Sequence, residues 1–201
     1  MAINYRSQTV RRETLHTVSL VAPHVAPGAS VLDVGCGEGY VLEELAARGA
    51  GELFGVDVVD IRQENRRPFR LFDGATLPFI DRRFDVVVLS FVLHHVPDDG
   101  KRALLREALR VCRGTVVIVE DTPATLLDRL MNRRHGESYR RRIKSTASYG
   151  FLTAGEWHWL FRGMGLEPEA RPLSRFCRSI LQPFARTAFL LRAPAPAAGY
   201  F

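Results

Sequence analysis

An α/β fold, a parallel sheet with helices on both faces, is what the sequence predicts, and three observations carry that prediction. Short apolar runs alternate with stretches of helical period along most of the chain. The first run, VLDVG, ends in glycines and passes directly into the amphipathic YVLEELAARG. FDVVVLS and TVVIVE are apolar on successive residues, the pattern of strands buried on both faces of a sheet.

In chain order, Arg11 to Val25 sets Leu15, Val18, Val21 and Ala22 at helical spacing, and Pro23 and Pro27 close that segment. VLDVG is the first strand, followed by a glycine turn and a helix that stops at Gly49. ELFGVDV, FRLF and FDVVVLS are the second, third and fourth strands. Lys101 to Cys112 is an amphipathic helix with Ala103, Leu104, Ala108, Leu109 and Val111 inward, and TVVIVE is the fifth strand. Thr122 followed by Pro123 is a helix start signal, so a helix is expected from there into the basic segment. Phe151 to Met164 is a further helix, with Thr153 as its cap and Gly165 as its stop, and Pro168–Phe176 and Ala185–Arg192 are β-like pieces separated at Pro183. No internal repeat divides the chain, and the final APAPAAG is low in complexity.

Composition narrows the function classes. With 201 residues and 46% hydrophobic content, one domain with one core is the expectation. No apolar stretch approaches the roughly 20 residues of a membrane span, and MAINYRSQTVRRETL has polar residues where a signal peptide has its apolar core, which points to a cytoplasmic protein. Cys36, Cys112 and Cys177 are far apart and follow no C-x-x-C spacing, so neither disulfides nor a metal site is expected. The net charge of +6 brings nucleic acid to mind. However, RLMNRRHGESYRRRIK, Arg129 to Lys144, holds seven Lys or Arg against one Glu, a net of six that equals the excess of the whole chain.

The glycine turn is the first functional signal. A backbone that must bend sharply and admit a ligand excludes Cβ atoms, and a dinucleotide site adds a third glycine in G-x-G-x-x-G. Here Tyr40 stands at that third place and the spacing is G-x-G-x-G, Gly35-Cys36-Gly37-Glu38-Gly39, preceded by Asp33. A purely structural turn is the alternative. The next strand ends in Asp57, a position where a carboxylate accepts ribose hydroxyls or, alternatively, serves as a cap. Asp73-Gly74 follows the third strand and Ser90 to His95 the fourth, so polar groups recur at strand carboxyl ends, where open α/β sheets bind ligands.

Taken together, VLDVGCGEGYVLEEL, GVDV, FDGATLPFIDRRFDVVVLSFVLHHVPD and LLREALRVCRGTVVIVED resemble the successive motifs of class I S-adenosylmethionine-dependent methyltransferases, in the small-molecule branch related to quinone-pathway enzymes. The match runs through residues 30 to 121, and FLTAGEWHWLFRGMGLE resembles the family's later helix. The resemblance implies a Rossmann-like seven-stranded sheet of order 3-2-1-4-5-7-6 with its last strand antiparallel. It also implies one methyltransferase domain over 1–201: a helical cover at 1–29, a cofactor core at 30–121, a helical lid and acceptor region at 122–165, and carboxyl-terminal strands at 166–201. Asp33, Gly35, Cys36, Gly37 and Gly39 would frame the methionine part of S-adenosylmethionine, or of its product S-adenosylhomocysteine. Asp57 would hold the ribose and Val58 press on the adenine. Asp73 and Gly74 would meet the adenine edge, and Ser90 and Phe91 lie near the sulfonium. Two departures stand out: only fifteen residues separate Asp57 from Asp73, which shortens the second helix to a turn and opens the adenine pocket, and the turn before the fifth strand is reduced to Arg113-Gly114.

A sulfonium activates its own methyl, so such a protein mainly aligns a nucleophile and excludes water. His94 and His95 are candidate general bases, with packing or orienting roles as the alternative. Glu120 and Asp121 end the fifth strand and are candidate wall or cap residues. Tyr5 and Arg6 are candidate lid residues, and Tyr139, Trp157 and His158 fall in the acceptor region that the resemblance implies, helix packing being the alternative for Trp157 and Trp159. The leading expectation is methyl transfer to a small, apolar or aromatic metabolite by a monomer or homodimer. A nucleic-acid methyltransferase is a rival, although no N-P-P-Y-like tetrad, Pro-Cys pair or separate RNA-binding module is present. A non-catalytic cofactor-binding subunit is the third reading. Arg129 to Ser148, too charged to be buried, is expected to be a lid over the acceptor pocket and not a packed element.

Overall fold

The structure is a computed structural model that describes residues 3–64, 66–143, 150–177 and 183–194, with side chains for these except residues 135, 136, 138–143, 174–177, 183 and 184. Seven strands form one sheet: β1 (Val31–Val34), β2 (Leu53–Asp57), β3 (Phe69–Leu71), β4 (Phe84–Ser90), β5 (Cys112–Asp121), β6 (Glu169–Cys177) and β7 (Pro183–Arg192). Their order is β3-β2-β1-β4-β5-β7-β6, as the resemblance implies. The pairings are parallel through β5, and β7 runs antiparallel to both β5 and β6.

Side-chain alternation along the strands divides the core into two layers. Val31, Val86, Val88, Val117, Val119, Ala188 and Leu190 face one side, where they meet Val18 and Val21 of α1 (Gln8–Val21) and Leu42 and Leu45 of α2 (Tyr40–Ala47). Leu32, Val87, Leu89, Val116, Ile118, Phe189 and Leu191 face the other. There they meet Leu104, Leu105, Ala108 and Val111 of α3 (Asp98–Val111) and Trp157, Leu160 and Phe161 of α5 (Ala154–Arg162). Trp157 stacks on Phe161 at 5.6 Å and lies 5.9 Å from Phe189, so it is a core residue. Trp159 is 76% exposed.

Local chemistry sets the helix ends. Ser7 accepts from the Val10 N–H and starts α1 earlier than Arg11, and α1 ends in a 3₁₀ turn at Ala22–His24 that contains Pro23. Thr153 and Glu156 form a capping box on α5. The helix expected from Thr122 begins later, as α4 (Leu126–Ile143). Thr122 is still held to the sheet, its N–H donating to the Ala185 carbonyl and its hydroxyl lying 2.8 Å from that of Thr187. The chain turns into the helix only where Thr125 accepts from the Asp128 N–H (3.1 Å) while the Asp128 carboxylate accepts from the Thr125 N–H (3.0 Å). Among the described residues no helix lies between β2 and β3, and none is long and apolar enough to cross a membrane.

If Thr125 is the cap, Thr125→Ala should cost about 1 kcal/mol of stability and speed amide exchange in the first turn of α4. Urea unfolding and hydrogen exchange check this, and an unchanged exchange rate at Leu127 and Asp128 would rule the cap out.

Candidate functional site

The site begins where β1 ends. Val56 accepts hydrogen bonds at its carbonyl from the N–H groups of Gly35 (2.7 Å) and Cys36 (3.1 Å), which bends the chain away from the sheet. Gly35 has φ +71°, and a Cβ there would sit 2.3 Å from a Val92 methyl, so the loop after β1 packs directly on the loop after β4. Gly39 precedes α2 at φ +83°, and a Cβ there would sit 2.5 Å from the Glu64 carbonyl oxygen. That contact is close because the Gln63 and Glu64 N–H groups donate to the Glu38 carbonyl, which docks the segment after β2 onto the glycine turn. Cys36 is buried, with its Sγ against Gly55, and burial pushes its thiol well above the ordinary range.

Asp57 ends β2 and joins the two loops. One carboxylate oxygen accepts from the Gly37 N–H at 2.9 Å and the other from the N–H groups of Val58 at 2.7 Å and Val59 at 3.4 Å. A carboxylate offers about four acceptor positions, so capacity remains on the cleft side. Burial raises the pKa of Asp57 while these backbone bonds oppose the rise. Asp73 accepts at one oxygen from the N–H groups of Ala75 and Thr76, forming the turn that carries Gly74 beneath Val58.

At the end of β4, Phe91 adopts φ +57°, a strained value for a residue with a side chain. Its N–H donates to the Val119 carbonyl at 2.8 Å, and its ring lies under the Arg186 guanidinium at 4.4 Å. Arg186 is buried on β7, where it donates to Asp121 at 2.8 Å and reaches Glu13 of α1 at 3.2 Å. Leu93–His95 then form one 3₁₀ turn, held by Glu120. The Glu120 carboxylate accepts from the Leu93 N–H and pairs with His94 Nδ1, each at 2.7 Å, and the His94 ring stacks on Phe151 at 4.6 Å. Glu120 is fully buried, and burial raises its pKa to about 7.

A cleft of about 370 Å³ opens between these loops. Of the residues expected at the site, Gly35, Gly37, Asp57, Val58, Asp73, Gly74, Phe91 and His95 line it together. The others stand behind it: Asp33 and Cys36 are buried, Gly39 starts α2, the Ser90 hydroxyl lies 3.3 Å from that of Thr17, and His94 is held by Glu120. Tyr5 donates to Glu44 at 2.5 Å and Arg6 pairs with Glu38, fastening the amino terminus to α2 and the glycine turn. His158 is exposed, while the side chain of Tyr139 and residues 144–149 lie outside the described part of the chain. Val59, Ile61, Phe72, Val92, Val96, Pro97 and Leu104 also line the cleft, unanticipated by motif reading because apolar residues carry no distinctive spacing. Arg186 was missed as well, and its only signal was a lone arginine inside the apolar run FARTAFLLR.

The electrostatics are unusual in two places. His95 is held far below the usual imidazole range, at about 3, by burial first and then by the neighbouring His94 ring. It is therefore neutral at physiological pH. Asp33 is raised to about 8 by burial first and then by the charge of Asp57, so it keeps its proton near neutrality. Among the described residues no group of His, Cys, Asp or Glu gathers to hold a metal.

The Asp33 shift has a testable sign. Its folded pKa of about 8 lies above the unfolded value of 3.8, so between those limits the folded chain holds a proton that the unfolded chain has released. Stability should fall as pH rises through that window, by on the order of 1 to 3 kcal/mol between pH 5 and 8. Asp33→Asn should flatten the profile in urea unfolding. Parallel pH profiles of the two proteins would remove Asp33 as the cause.

Residues 5–170 match the family described as "Methyltransferase domain". Over 101 residues the chain is 38% identical to a demethylmenaquinone methyltransferase of Corynebacterium urealyticum, covering 48% of this chain and 43% of that protein. Over 119 residues it is 32% identical to a ribosomal protein L11 methyltransferase of Desulfosudis oleivorans, covering 51% and 39%. The chain thus spans less than half the length of these curated relatives. The magnesium protoporphyrin IX methyltransferase of Synechocystis, solved with S-adenosylhomocysteine, superposes with a TM-score of 0.64 at 19% identity, over 96% of this chain and 90% of that one. A possible histamine N-methyltransferase of Thermotoga maritima superposes at 0.68 with 16% identity, over 92% and 90%. At these identities the likeness is one of fold. From the family match over residues 5–170, the chain belongs to the methyltransferase-domain family, as a class I S-adenosylmethionine-dependent member related to the quinone-pathway enzymes.

Proposed function

We propose that the cleft binds S-adenosylmethionine and that the protein transfers its methyl group to a small apolar or aromatic metabolite. The observation that carries this reading is the division of the cleft. Asp57 stands at one end, bare glycine backbone at the centre, and Phe91, Val92, His95, Val96, Pro97 and Leu104 at the other. The residues fit the cofactor on their own chemistry. Asp57 keeps acceptor capacity for a ribose hydroxyl beyond its three backbone bonds, and a Cβ built on Gly37 would meet nothing within 4 Å, so the backbone there is open to a ligand. Val58, Ile61 and Phe72 offer apolar surface for an adenine, and Val58 is 61% exposed, in keeping with a pocket that lacks a second helix over it.

When bound, the cofactor supplies a methyl group already activated on a sulfonium. The chain's residues then have three tasks: to orient the acceptor, to exclude water, and to hold the cofactor. Phe91 and Val92 wall the end of the cleft opposite Asp57, where Arg186 over Phe91 and Glu120 on the Leu93 N–H fix this stretch. A histidine with a pKa near 3 is a poor match for abstracting a hydroxyl proton at neutral pH, so His95 acts by orienting a polar group of the acceptor. The relatives named as demethylmenaquinone methyltransferases favour an acceptor of apolar, aromatic kind. The rival readings, a nucleic-acid methyltransferase or a non-catalytic cofactor-binding subunit, are separated from this one by the same assay.

Titration calorimetry should register S-adenosylhomocysteine binding and no NAD binding, and Asp57→Ala should weaken the former at least tenfold, since a charge-assisted hydrogen bond contributes roughly 1.5 to 3 kcal/mol. Unchanged affinity in the mutant overturns the ribose assignment. With labelled cofactor, turnover is expected on a metabolite pool and not on an RNA pool, and binding without any turnover would favour the non-catalytic subunit. His95→Gln should slow that turnover less than about tenfold with cofactor affinity preserved, whereas a loss of a hundredfold or more would restore His95 as a general base.

A further inference from the structure

The first two turns of helix α4 are inside out. Among its described side chains the buried ones are polar, Asp128 at 2% and Asn132 at 1% exposure, one helical turn apart on the same face. On the opposite face Leu126 is 86% exposed, Leu127 64% and Leu130 55%. An ordinary surface helix has the reverse arrangement. The neighbouring helix α5 adds a further exposed apolar group: Arg129 of α4 reaches Glu156 of α5 at 3.7 Å, and Trp159, one turn along from Glu156, is 76% exposed. Interleaved with these apolar groups are basic ones. Arg133 and Arg134 are exposed one turn beyond Leu130, and the helix continues in sequence through Arg140, Arg141 and Arg142.

From this pairing we infer that α4 and the exposed edge of α5 form a docking surface for an anionic lipid bilayer. Exposed leucines and a tryptophan among arginines are the chemistry of a helix lying in a bilayer interface, its apolar groups in the acyl boundary and its cations among anionic headgroups. Charge complementarity selects this occupant over the others. Helix α4, Leu126–Ile143, holds six arginines against Asp128 and Glu137, a net of four of the chain's six charges, so the attraction is focused here. A second copy of the chain would set Arg129, Arg133 and Arg134 against their own counterparts, and like charges oppose that contact. RNA would satisfy the arginines but would leave Leu126 and Leu130 facing phosphate and water. The inference does not rest on the identity of the acceptor.

Sedimentation of the full chain with vesicles tests it. Vesicles of mixed phosphatidylglycerol and phosphatidylcholine should retain the protein at low salt, pure phosphatidylcholine vesicles should retain much less, and added salt should release it. Leu126→Ser combined with Leu130→Ser should lower partitioning at least tenfold, as roughly 1.5 to 3 kcal/mol per buried leucine implies, with circular dichroism unchanged. Arg133→Glu with Arg134→Glu should do the same, since each basic group near such a surface strengthens binding about fivefold. Trp159 emission should shift to the blue on anionic vesicles, while buried Trp157 provides a constant background. Absence of binding to anionic vesicles overturns the inference. Undiminished binding in the leucine variant overturns it too, by leaving charge alone as the cause. RNA binding that the leucine variant retains, without vesicle binding, assigns the surface to nucleic acid, and a dimer that the leucine variant abolishes assigns it to a second copy.

Discussion

Strands β1 and β4 lie side by side and parallel, in register from Val31 beside Val86 to Val34 beside Leu89, yet the helices that follow them go to opposite faces of the sheet. Two chains that leave adjacent strand ends in opposite directions must part, and a crevice opens between them. Everything at the site follows from that divergence. The glycine turn can approach the β4 loop only because Gly35 leaves room for Val92, and the turn is then fixed from the other side by Asp57 through the Gly37 N–H. On the far wall the strained Phe91 keeps a backbone bond to Val119 of β5, and Glu120 and Arg186 anchor it and the 3₁₀ turn after it from β5 and β7. A charged residue is costly at such buried positions unless paired, and each of these is paired.

The sheet and its order were legible because the signals that specify them are local and periodic. The runs VLDV, FDVVVLS and TVVIVE, apolar on successive residues apart from a few polar positions, suit a sheet buried on both sides. The glycine turn and Asp57 were legible for a related reason: backbone geometry and a carboxylate at a strand end restrict which residue types can stand there. What escaped was relational. Thr122 followed by Pro123 reads as a helix start, but the hydroxyl of Thr187, 65 positions away in the chain, holds Thr122 against the sheet, and the helix begins at Leu126. The pairing of His94 with Glu120 in place of a cleft position for both histidines depends on the register of β4 against β5, which no spacing within the loop encodes.

The two histidines illustrate how burial assigns different parts to adjacent residues. The two rings touch, their centroids 4.1 Å apart, yet a buried carboxylate holds one while the other lines the cleft. His94 enters the core, where it forms one half of a pair with a carboxylate and stacks on Phe151. His95 faces the cleft and is kept neutral by burial and by its neighbour. The same turn thus supplies both a structural pin and a polar group for a ligand, and the pin is what makes the position of the second group definite.

Asp33 and Asp57 show the opposite case, two like groups forced together. Both stand at carboxyl ends of adjacent strands, Asp33 buried and Asp57 partly so; burial raises the cost of ionising each, and the charge of Asp57 raises that of Asp33 further. In the protein alone the conflict is resolved by leaving a proton on Asp33. The desolvation that leaves the proton on Asp33 is the same that makes the fold lose stability as pH rises, so this end of the cleft is held by the backbone bonds of Asp57 and not by a second charge.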